Sequence, residues 1–274
     1  MKLEVLISTM YQNDLSLIKK MNIKSNALII NQCNMEEMIE KHFDGNTIRM
    51  LSCKERGLSK SRNKAIENSI GDICVIADDD LIYNDNYEKI ILDAYKKYPD
   101  TSIIVFDVPS TNPKRPTSIL KEGRIDFLHS FKVSSFQITF RKKDIVENGL
   151  LFNEFFGAGA KYTCGEENIF LVEALKKKLK IRYVKTAIAI VNHGESTWFT
   201  GFNEQLLKSK GAMFYEMSHR LSFFLILQFA LRKYKLYKNA VSLYDALHFM
   251  KCGLYEYKNF LNEDNGEHKN LRGR

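Results

Sequence analysis

A chain of 274 residues is long enough for one large α/β domain or two small ones. Hydrophobic residues make up 45% of the chain and aromatic residues 12%, which excludes a disordered polar chain and predicts a folded protein. The 41 basic residues outnumber the 33 acidic ones and leave a net charge of +8. This charge favours anionic partners such as nucleotides, nucleic acid or an acidic membrane surface.

The cysteines and the apolar runs exclude further classes of protein. The five cysteines are scattered and form no Cys-x-x-Cys pair, so neither a disulfide framework nor a zinc site is encoded, and a cytoplasmic location is expected. Glu4 interrupts the first apolar run, which argues against a secretory signal peptide. The most apolar stretch, residues 221–231, has about half of the roughly 20 residues that a membrane-spanning helix needs.

The first hundred residues alternate β-rich runs with helical patterns, which predicts a mainly parallel sheet covered by helices. The clearest helix covers residues 87–98, where the apolar residues fall on one helical face and Pro99 follows. Such sheets bind their ligands at the carboxyl ends of the strands. The predicted strands are residues 3–8, 27–31, 47–52, 73–77 and 102–107.

The rest of the chain continues this sheet and then changes composition. Three of the four prolines fall in residues 109–116, which predicts a surface loop. The elements predicted after the loop are a β-rich segment at 135–140, a helix at 166–178, a strand at 181–191 and a helical region from about 200 to 260. The predicted fold class is therefore α/β, a Rossmann-like sheet flanked by helices, with domains at residues 1–200 and 201–274.

Three consecutive carboxylates, Asp78, Asp79 and Asp80, follow the predicted strand 73–77. Adjacent like charges repel each other, so this cluster is costly unless a cation or hydrogen-bond donors stabilise it. Mg²⁺ and Mn²⁺ take oxygen ligands, typically from one or two carboxylates and from substrate phosphates. The position at the carboxyl end of a strand favours a metal site over the alternative, a solvated acidic turn.

Residues 54–63 join a predicted strand to a helix and carry Gly57 at the turn, with Arg56 and Arg62 beside it. Exposed N–H groups and the helix dipole favour phosphate at such a place, so the segment predicts an anion-binding edge. Taken alone the pattern is weak, because basic residues on a first helical turn are often only solvated.

Two motifs lie further along the chain. A glycine-bearing loop brings Glu166 and Glu167 to the start of a predicted helix. Glutamates there either satisfy the helix dipole or, in a partly dry cleft, act as a general base toward a hydroxyl. His193 ends the predicted strand 181–191, where it has either a structural role or a ligand role at the acidic site.

These four features, in this order, resemble the family 2 glycosyltransferases, which have the GT-A nucleotide-sugar-binding fold. The resemblance covers about residues 1–200 and rests on the order and spacing of the motifs. It implies that Ser8, Thr9 and Asn31 hold the nucleoside base, and that Arg56, Arg62 and Asn63 contact the donor. The acidic cluster looks like the family's DxD-type motif, which implies nucleotide contacts from Asp78 and Asp79 and a Mn²⁺ or Mg²⁺ site formed by Asp80, Asp78 and His193.

Gly165-Glu166-Glu167 looks like the family's Gly-Glu-Asp motif, whose last carboxylate is the catalytic base. The resemblance therefore implies that Glu167 is the base; the final position is one methylene longer than aspartate, so Glu166 stays open as the alternative. The implied reaction is inverting transfer of one sugar from a nucleoside-diphosphate sugar, with UDP favoured, to a hydroxyl of a glycan or lipid-linked acceptor, as in capsule or lipopolysaccharide assembly. A Gln-x-x-Arg-Trp motif, which accompanies processive synthases, is absent from the sequence.

Residues 221–238 combine a short apolar face with four cations, Arg232, Lys233, Lys235 and Lys238. This pattern suits peripheral contact with the inner face of an anionic membrane. A buried helix with a charged end and a dimer interface are the alternatives, and the oligomeric state stays open.

Two other functions compete with glycosyl transfer. A sugar nucleotidyltransferase would carry a glycine-rich basic loop after the first strand, where this chain has Ser8-Thr9-Met10 instead. A nucleic-acid-binding module would group its basic residues with aromatics on one face, and it leaves the acidic cluster unexplained. No nucleic-acid partner is therefore expected.

Overall fold

The computed structural model of the chain describes residues 1–113, 117, 120–192 and 201–271, with side chains described as far as residue 263. The described residues form two units, each treated by itself below. The first unit contains residues 1–152 and 170–192, and the second contains residues 153–169 and 201–271. The two units are interleaved along the chain, whereas the sequence pattern predicts a single boundary at residue 200.

The first unit contains a nine-stranded sheet and a separate two-stranded ribbon. Its strands are β1 (Leu3–Met10), β2 (Asn26–Gln32), β3 (Glu37–Phe43), β4 (Asn46–Cys53), β5 (Ile73–Asp78), β6 (Leu81–Tyr83), β7 (Ile103–Asp107), β8 (Gly123–Arg124), β9 (Ile138–Arg141), β10 (Ile181–Ala187) and β11 (Ala189–Val191). The sheet order is β3-β4-β2-β1-β5-β9-β7-β10-β8, and β6 pairs with β11 in the ribbon.

The predicted α/β fold is confirmed, and each of the five strands predicted in the first 107 residues is present. β4, β2, β1 and β5 are parallel neighbours, as are β7 and β10. β3 was not predicted; it is an antiparallel edge strand with an almost fully exposed surface, so it carries no apolar pattern that sequence reasoning could detect. β9, in the β-rich segment predicted at 135–140, is antiparallel to both β5 and β7.

Helices cover both faces of this sheet. The helices are α1 (Ser16–Lys20), α2 (Leu58–Asn68), α3 (Tyr87–Lys97), α4 (Phe127–Ser130), α5 (Lys142–Glu147) and α6 (Glu166–Lys176), with a single 3₁₀ turn at Ser135–Gln137. α1 and α3 contribute to the core on one face, and α2, α5 and α6 contribute to the core on the other. Val5 and Ile7 of β1 enter the first core and Leu6 enters the second, which explains why a strand buried on both faces reads as a continuous apolar run.

Glu4 is the exception in this run, and it is fully buried. Its carboxylate accepts a hydrogen bond of 2.7 Å from the guanidinium of Arg49, on β4. The backbone N–H groups of Ile70 and Gly71 donate to its other oxygen. A buried carboxylate is tolerated only when it is paired and hydrogen-bonded, and Glu4 meets both conditions.

The second unit consists of the segment 153–169 and three helices, α7 (Glu204–Met217), α8 (Ser222–Tyr237) and α9 (Leu243–Leu271). Two glycines let the backbones of α7 and α9 approach each other closely. A Cβ atom added to Gly211 would lie 1.8 Å from the carbonyl oxygen of Met250, and one added to Gly253 would lie 2.0 Å from that of Lys208. No described helix is both long enough and apolar enough to cross a membrane.

Gly253→Ala is expected to destabilise the protein. The added methyl group meets backbone atoms, so the two helices have to move apart, and we expect the free energy of unfolding to fall by about 1–3 kcal/mol. Chemical denaturation followed by circular dichroism measures the change. The control is Asn259→Ala, an exposed position on the same helix, for which we expect a change within about 0.5 kcal/mol. Equal stability of the two variants would contradict the close approach.

Candidate active site

The parallel strands β4, β2, β1 and β5 end at one edge of the sheet, and most of the predicted donor-site residues lie there. Asp78 is the last residue of β5 and pairs in register with Ser8 of β1, while Thr9 pairs with Asn31 of β2. Strand pairing thus brings together side chains that are up to 70 residues apart in sequence. The edge is the place where α/β sheets of this kind bind ligands.

Asp78 is held by a buried arginine. The guanidinium of Arg62, on α2, is 1% exposed and donates a 3.0 Å hydrogen bond to Oδ1 of Asp78. It also donates to the hydroxyl of Ser135 over 2.8 Å and lies over the ring of Phe152. Arg62 therefore fixes the position of the Asp78 carboxylate from inside the protein.

Asp79 and the end of β1 form a second hydrogen-bonded group. Thr9 donates its hydroxyl proton to Oδ2 of Asp79 and accepts a 3.1 Å hydrogen bond from the amide of Gln12. Ser8 accepts a 2.9 Å hydrogen bond from the hydroxyl of Ser61, on α2. The predicted residues Ser8 and Thr9 are therefore next to the acidic cluster.

Asp80 differs from its two neighbours because one of its oxygens is both buried and without a hydrogen-bond partner in the described part of the chain. Oδ1 of Asp80 is buried and accepts no hydrogen bond from any residue that the structure describes. Burial, and then the charges of Asp78 and Asp79, raise the pKa of Asp80 to about 6. A carboxylate in this situation is costly unless a cation neutralises it.

This carboxylate fits a divalent cation that also binds a substrate. Within the described part of the chain, no three His, Cys, Asp or Glu side chains are grouped so that they could hold a metal ion by themselves. Mg²⁺ sites in proteins often use only one or two carboxylates and take the other oxygens from substrate phosphates and water, so Asp80 with Asp78 suffices. His193, the third predicted ligand, lies outside the described residues; the preceding residue, Asn192, donates its backbone N–H to the carbonyl of Asp80 over 3.0 Å.

Asn31 lies at the end of β2, and its side chain is already used by the protein. Its amide exchanges two 2.9 Å hydrogen bonds with the backbone of Gln12 and donates to the hydroxyl of Ser52. Asn31 therefore holds the loop after β1.

Tyr11 lies in that loop, with a φ of 55° and 60% of its surface exposed, and the guanidinium of Arg56 lies 5.5 Å from the centre of its ring. Sequence reasoning missed Tyr11; the only available signal was an aromatic residue directly after a strand that ends at the site.

Arg56 and Asn63 are also engaged with the protein. Arg56 donates to the carbonyls of Cys33, Cys53 and Lys54, so it organises the turn after β4. Asn63 donates to the carbonyl of Phe152 and accepts from its N–H, over 2.9 and 2.8 Å. Through these contacts both residues hold the backbone around the site in place.

The second unit contains the two predicted base candidates at the start of α6. Gly165 has a φ of +97°, and a Cβ atom there would lie 2.3 Å from Sδ of Met213, on α7. Only glycine fits that turn, which then leads into Glu166 and Glu167. Glu166 is 6% exposed, whereas Glu167 is half-buried and therefore accessible to a substrate.

Sequence reasoning also missed a lysine near these carboxylates. Burial lowers the pKa of Lys210, on α7, but the interactions with Cys164, Glu167 and Glu166 outweigh it, and the pKa is raised. Lys210 therefore carries a permanent positive charge beside the Gly-Glu-Glu motif. It lies 44 residues after Glu166 (210 − 166), so only the packing of α7 reveals the proximity.

Comparisons with known proteins agree with this architecture. The sequence profile described as glycosyl transferase family 2 matches residues 28–159, which confirms the family resemblance. The structure of residues 1–349 of S. aureus TarS in complex with UDP-GlcNAc matches with a TM-score of 0.64 at 13% identity, over 97% of this chain and 92% of that one. The mannosyltransferase PcManGT from Pyrobaculum calidifontis in complex with GDP-Man and Mn²⁺ matches with a TM-score of 0.51 at 12% identity, over 94% and 75% of the two chains. The fold is therefore GT-A-like; no curated protein matches by sequence.

Proposed function

We propose that the protein transfers one sugar from a nucleoside-diphosphate sugar to an acceptor hydroxyl with inversion. Residues 28–159 match the sequence profile of glycosyl transferase family 2, and the fold is GT-A-like. The observation that carries the proposal is the buried, unpartnered oxygen of Asp80 beside Asp78 and Asp79 at the carboxyl edge of the sheet. A bound cation would stabilise such an arrangement, and a nucleoside diphosphate would supply the remaining oxygen ligands.

We propose that the sugar-nucleotide donor binds along the carboxyl ends of the parallel strands. Tyr11 offers an exposed ring for stacking with the base, and Asp79 with Thr9 faces the ribose. Asp80 and Asp78 would hold Mn²⁺ or Mg²⁺, which neutralises the negative charge of the diphosphate as it leaves. Arg62, Asn31 and Asn63 act as positioning residues, because they donate hydrogen bonds to Asp78, Gln12 and Phe152.

In the proposal, Glu167 activates the acceptor. Glu167 takes the proton from the acceptor hydroxyl, whose oxygen forms a bond to the anomeric carbon while the bond from that carbon to the diphosphate breaks. Attack opposite to the leaving group inverts the configuration. The half-buried position of Glu167 supports this assignment over Glu166, which is buried.

The proposed donor and acceptor class rest on the TarS comparison and on the family resemblance. We propose a UDP-sugar, because the TarS structure that matches over most of both chains is a complex with UDP-GlcNAc. The family resemblance supports a glycan or lipid-linked glycan as acceptor, in the assembly of a surface polysaccharide such as capsule or lipopolysaccharide. We propose a single addition per acceptor because the sequence lacks the Gln-x-x-Arg-Trp motif.

Calorimetric titration with UDP and GDP, each with and without Mn²⁺, tests the proposal. We expect UDP to bind only when Mn²⁺ is present, and to bind more tightly than GDP. Tighter binding of GDP would change the donor and leave the reaction class in place. If neither nucleotide bound in a metal-dependent manner, the proposed donor site would be wrong.

A further inference from the structure

The helix α8 has an exposed apolar surface that the proposed transfer reaction does not use. We define the α8 surface by five side chains that are 41–63% exposed: Phe223, Phe224, Leu227, Leu231 and Tyr234. They lie at offsets 0, 1, 4, 8 and 11, which places them on one side of the helix. Isolated exposed apolar residues are ordinary, but a contiguous patch of this kind marks an interaction surface.

A neighbouring side of the same helix is already packed. Leu225, Ile226, Ala230 and Tyr237 are buried, and Tyr237 donates a hydrogen bond to the carbonyl of Ala230. α8 thus anchors itself in the second unit with one apolar side. The α8 surface lies next to it; Phe223 and Tyr234 contact the rings of Tyr255 and Tyr237 at its border and are still 49% and 41% exposed.

The charged residues in and next to α8 along the chain are of one sign. Between Glu216 and Asp245 the chain has five basic residues and no acidic one. Lys235 follows Leu231 by four residues and Lys238 follows Tyr234 by four, so both cations continue the apolar side by one helical turn. Arg232, Lys235 and Lys238 are all exposed.

We infer that the α8 surface docks onto an anionic lipid bilayer. The apolar side chains enter the boundary between headgroups and acyl chains, and the cations contact the headgroup phosphates. A second copy of the chain is a poorer partner, because a symmetric contact through this surface would bring like charges together. With 16 residues, α8 is about 24 Å long, shorter than the roughly 30 Å hydrocarbon core, so it lies in the interface.

Flotation of the whole chain with lipid vesicles tests this inference. One set of vesicles is pure phosphatidylcholine and the other contains phosphatidylcholine and phosphatidylglycerol at three to one. We expect binding to the anionic vesicles only, and weaker binding as salt is added, because salt screens the headgroup charge. No donor or acceptor is present, so failure of this test would leave the proposed glycosyl transfer untouched.

Two sets of variants separate the contributions of charge and apolar contact. The triple variant Arg232→Gln, Lys235→Gln, Lys238→Gln should weaken binding by about 100-fold, because each cation near an anionic surface contributes about fivefold. The double variant Phe224→Ser, Leu231→Ser should weaken it by about 100-fold through lost apolar burial. The matched controls change exposed residues elsewhere and should bind as the wild type does: Lys96→Gln, Lys143→Gln, Lys180→Gln for charge, and Leu128→Ser, Leu151→Ser for apolar contact.

Three results would overturn the inference. The first is no binding to anionic vesicles, and the second is equal binding to both vesicle types. The third is a wild-type dimer that the Phe224→Ser, Leu231→Ser variant converts to a monomer without any vesicle binding, since the α8 surface would then join two copies of the chain. Sedimentation velocity in the absence of lipid measures that third outcome.

Discussion

Asp80→Ala is expected to abolish Mn²⁺-dependent binding of the nucleoside diphosphate and to reduce sugar transfer by about 10³-fold or more. Asp80 has a buried oxygen that accepts no hydrogen bond from any described residue. In the proposed site a bound cation would therefore stabilise this carboxylate the most. Without it, the charge that develops on the leaving diphosphate is not neutralised. Calorimetry with and without Mn²⁺, together with a donor-to-acceptor transfer assay, measures both losses.

The control for this prediction is Asp93→Ala. Asp93 is exposed on α3 and pairs only at the surface with Lys96, over 3.0 Å, so its loss removes the same charge without touching the sheet edge. It should bind UDP and transfer sugar as the wild type does. Removing a half-buried carboxylate that has an unsatisfied oxygen should not unfold the protein, and circular dichroism checks this. Unchanged Mn²⁺-dependent binding in a folded Asp80→Ala variant would refute the metal site.

Glu167→Gln is expected to reduce transfer by about 10³-fold, the size of effect that a general base supplies. The substitution keeps the size of the side chain and removes its ability to accept a proton at neutral pH. Binding of UDP with Mn²⁺ should stay within about twofold of the wild-type value, because Glu167 acts on the acceptor and not on the donor. Single-turnover transfer and calorimetry on the same preparation separate the two effects.

The matched variant is Glu166→Gln, one residue earlier on the same helix. Glu166 is 6% exposed, so its loss should disturb local packing more than the chemistry, with a smaller decrease in transfer. If Glu166→Gln lost transfer while Glu167→Gln kept near-normal turnover, the base would be the earlier residue. Glu167 has a side chain one methylene longer than the aspartate that ends the family's Gly-Glu-Asp motif, so the two glutamates have to be compared directly.

The sequence by itself determined the α/β class, the principal strands and the position of the acidic cluster. Strands buried on both faces are mostly apolar runs, interrupted in β1 by Glu4, and the polar residues that follow the runs, Ser8 in β1 and Asp78 in β5, lie near the carboxyl ends of the strands. These signals are local in the sequence, so they can be recognised without any knowledge of the fold. The family resemblance rested on the same local motifs, and the match over residues 28–159 confirmed it.

Only the tertiary structure decided which polar side chains are hydrogen-bonded within the protein and which have a buried oxygen without such a bond. Asn31 and Arg62 are as polar in sequence as Asp80, but packing gives the first two protein partners and leaves an oxygen of Asp80 without one in the described part of the chain. Glu4 is similar: in sequence it interrupts an apolar run, and in the structure Arg49 satisfies it. The interleaving of the two units was equally invisible in the sequence. Hydrogen bonds between residues on distant strands and helices depend on how the whole chain packs. A local sequence pattern therefore does not predict them.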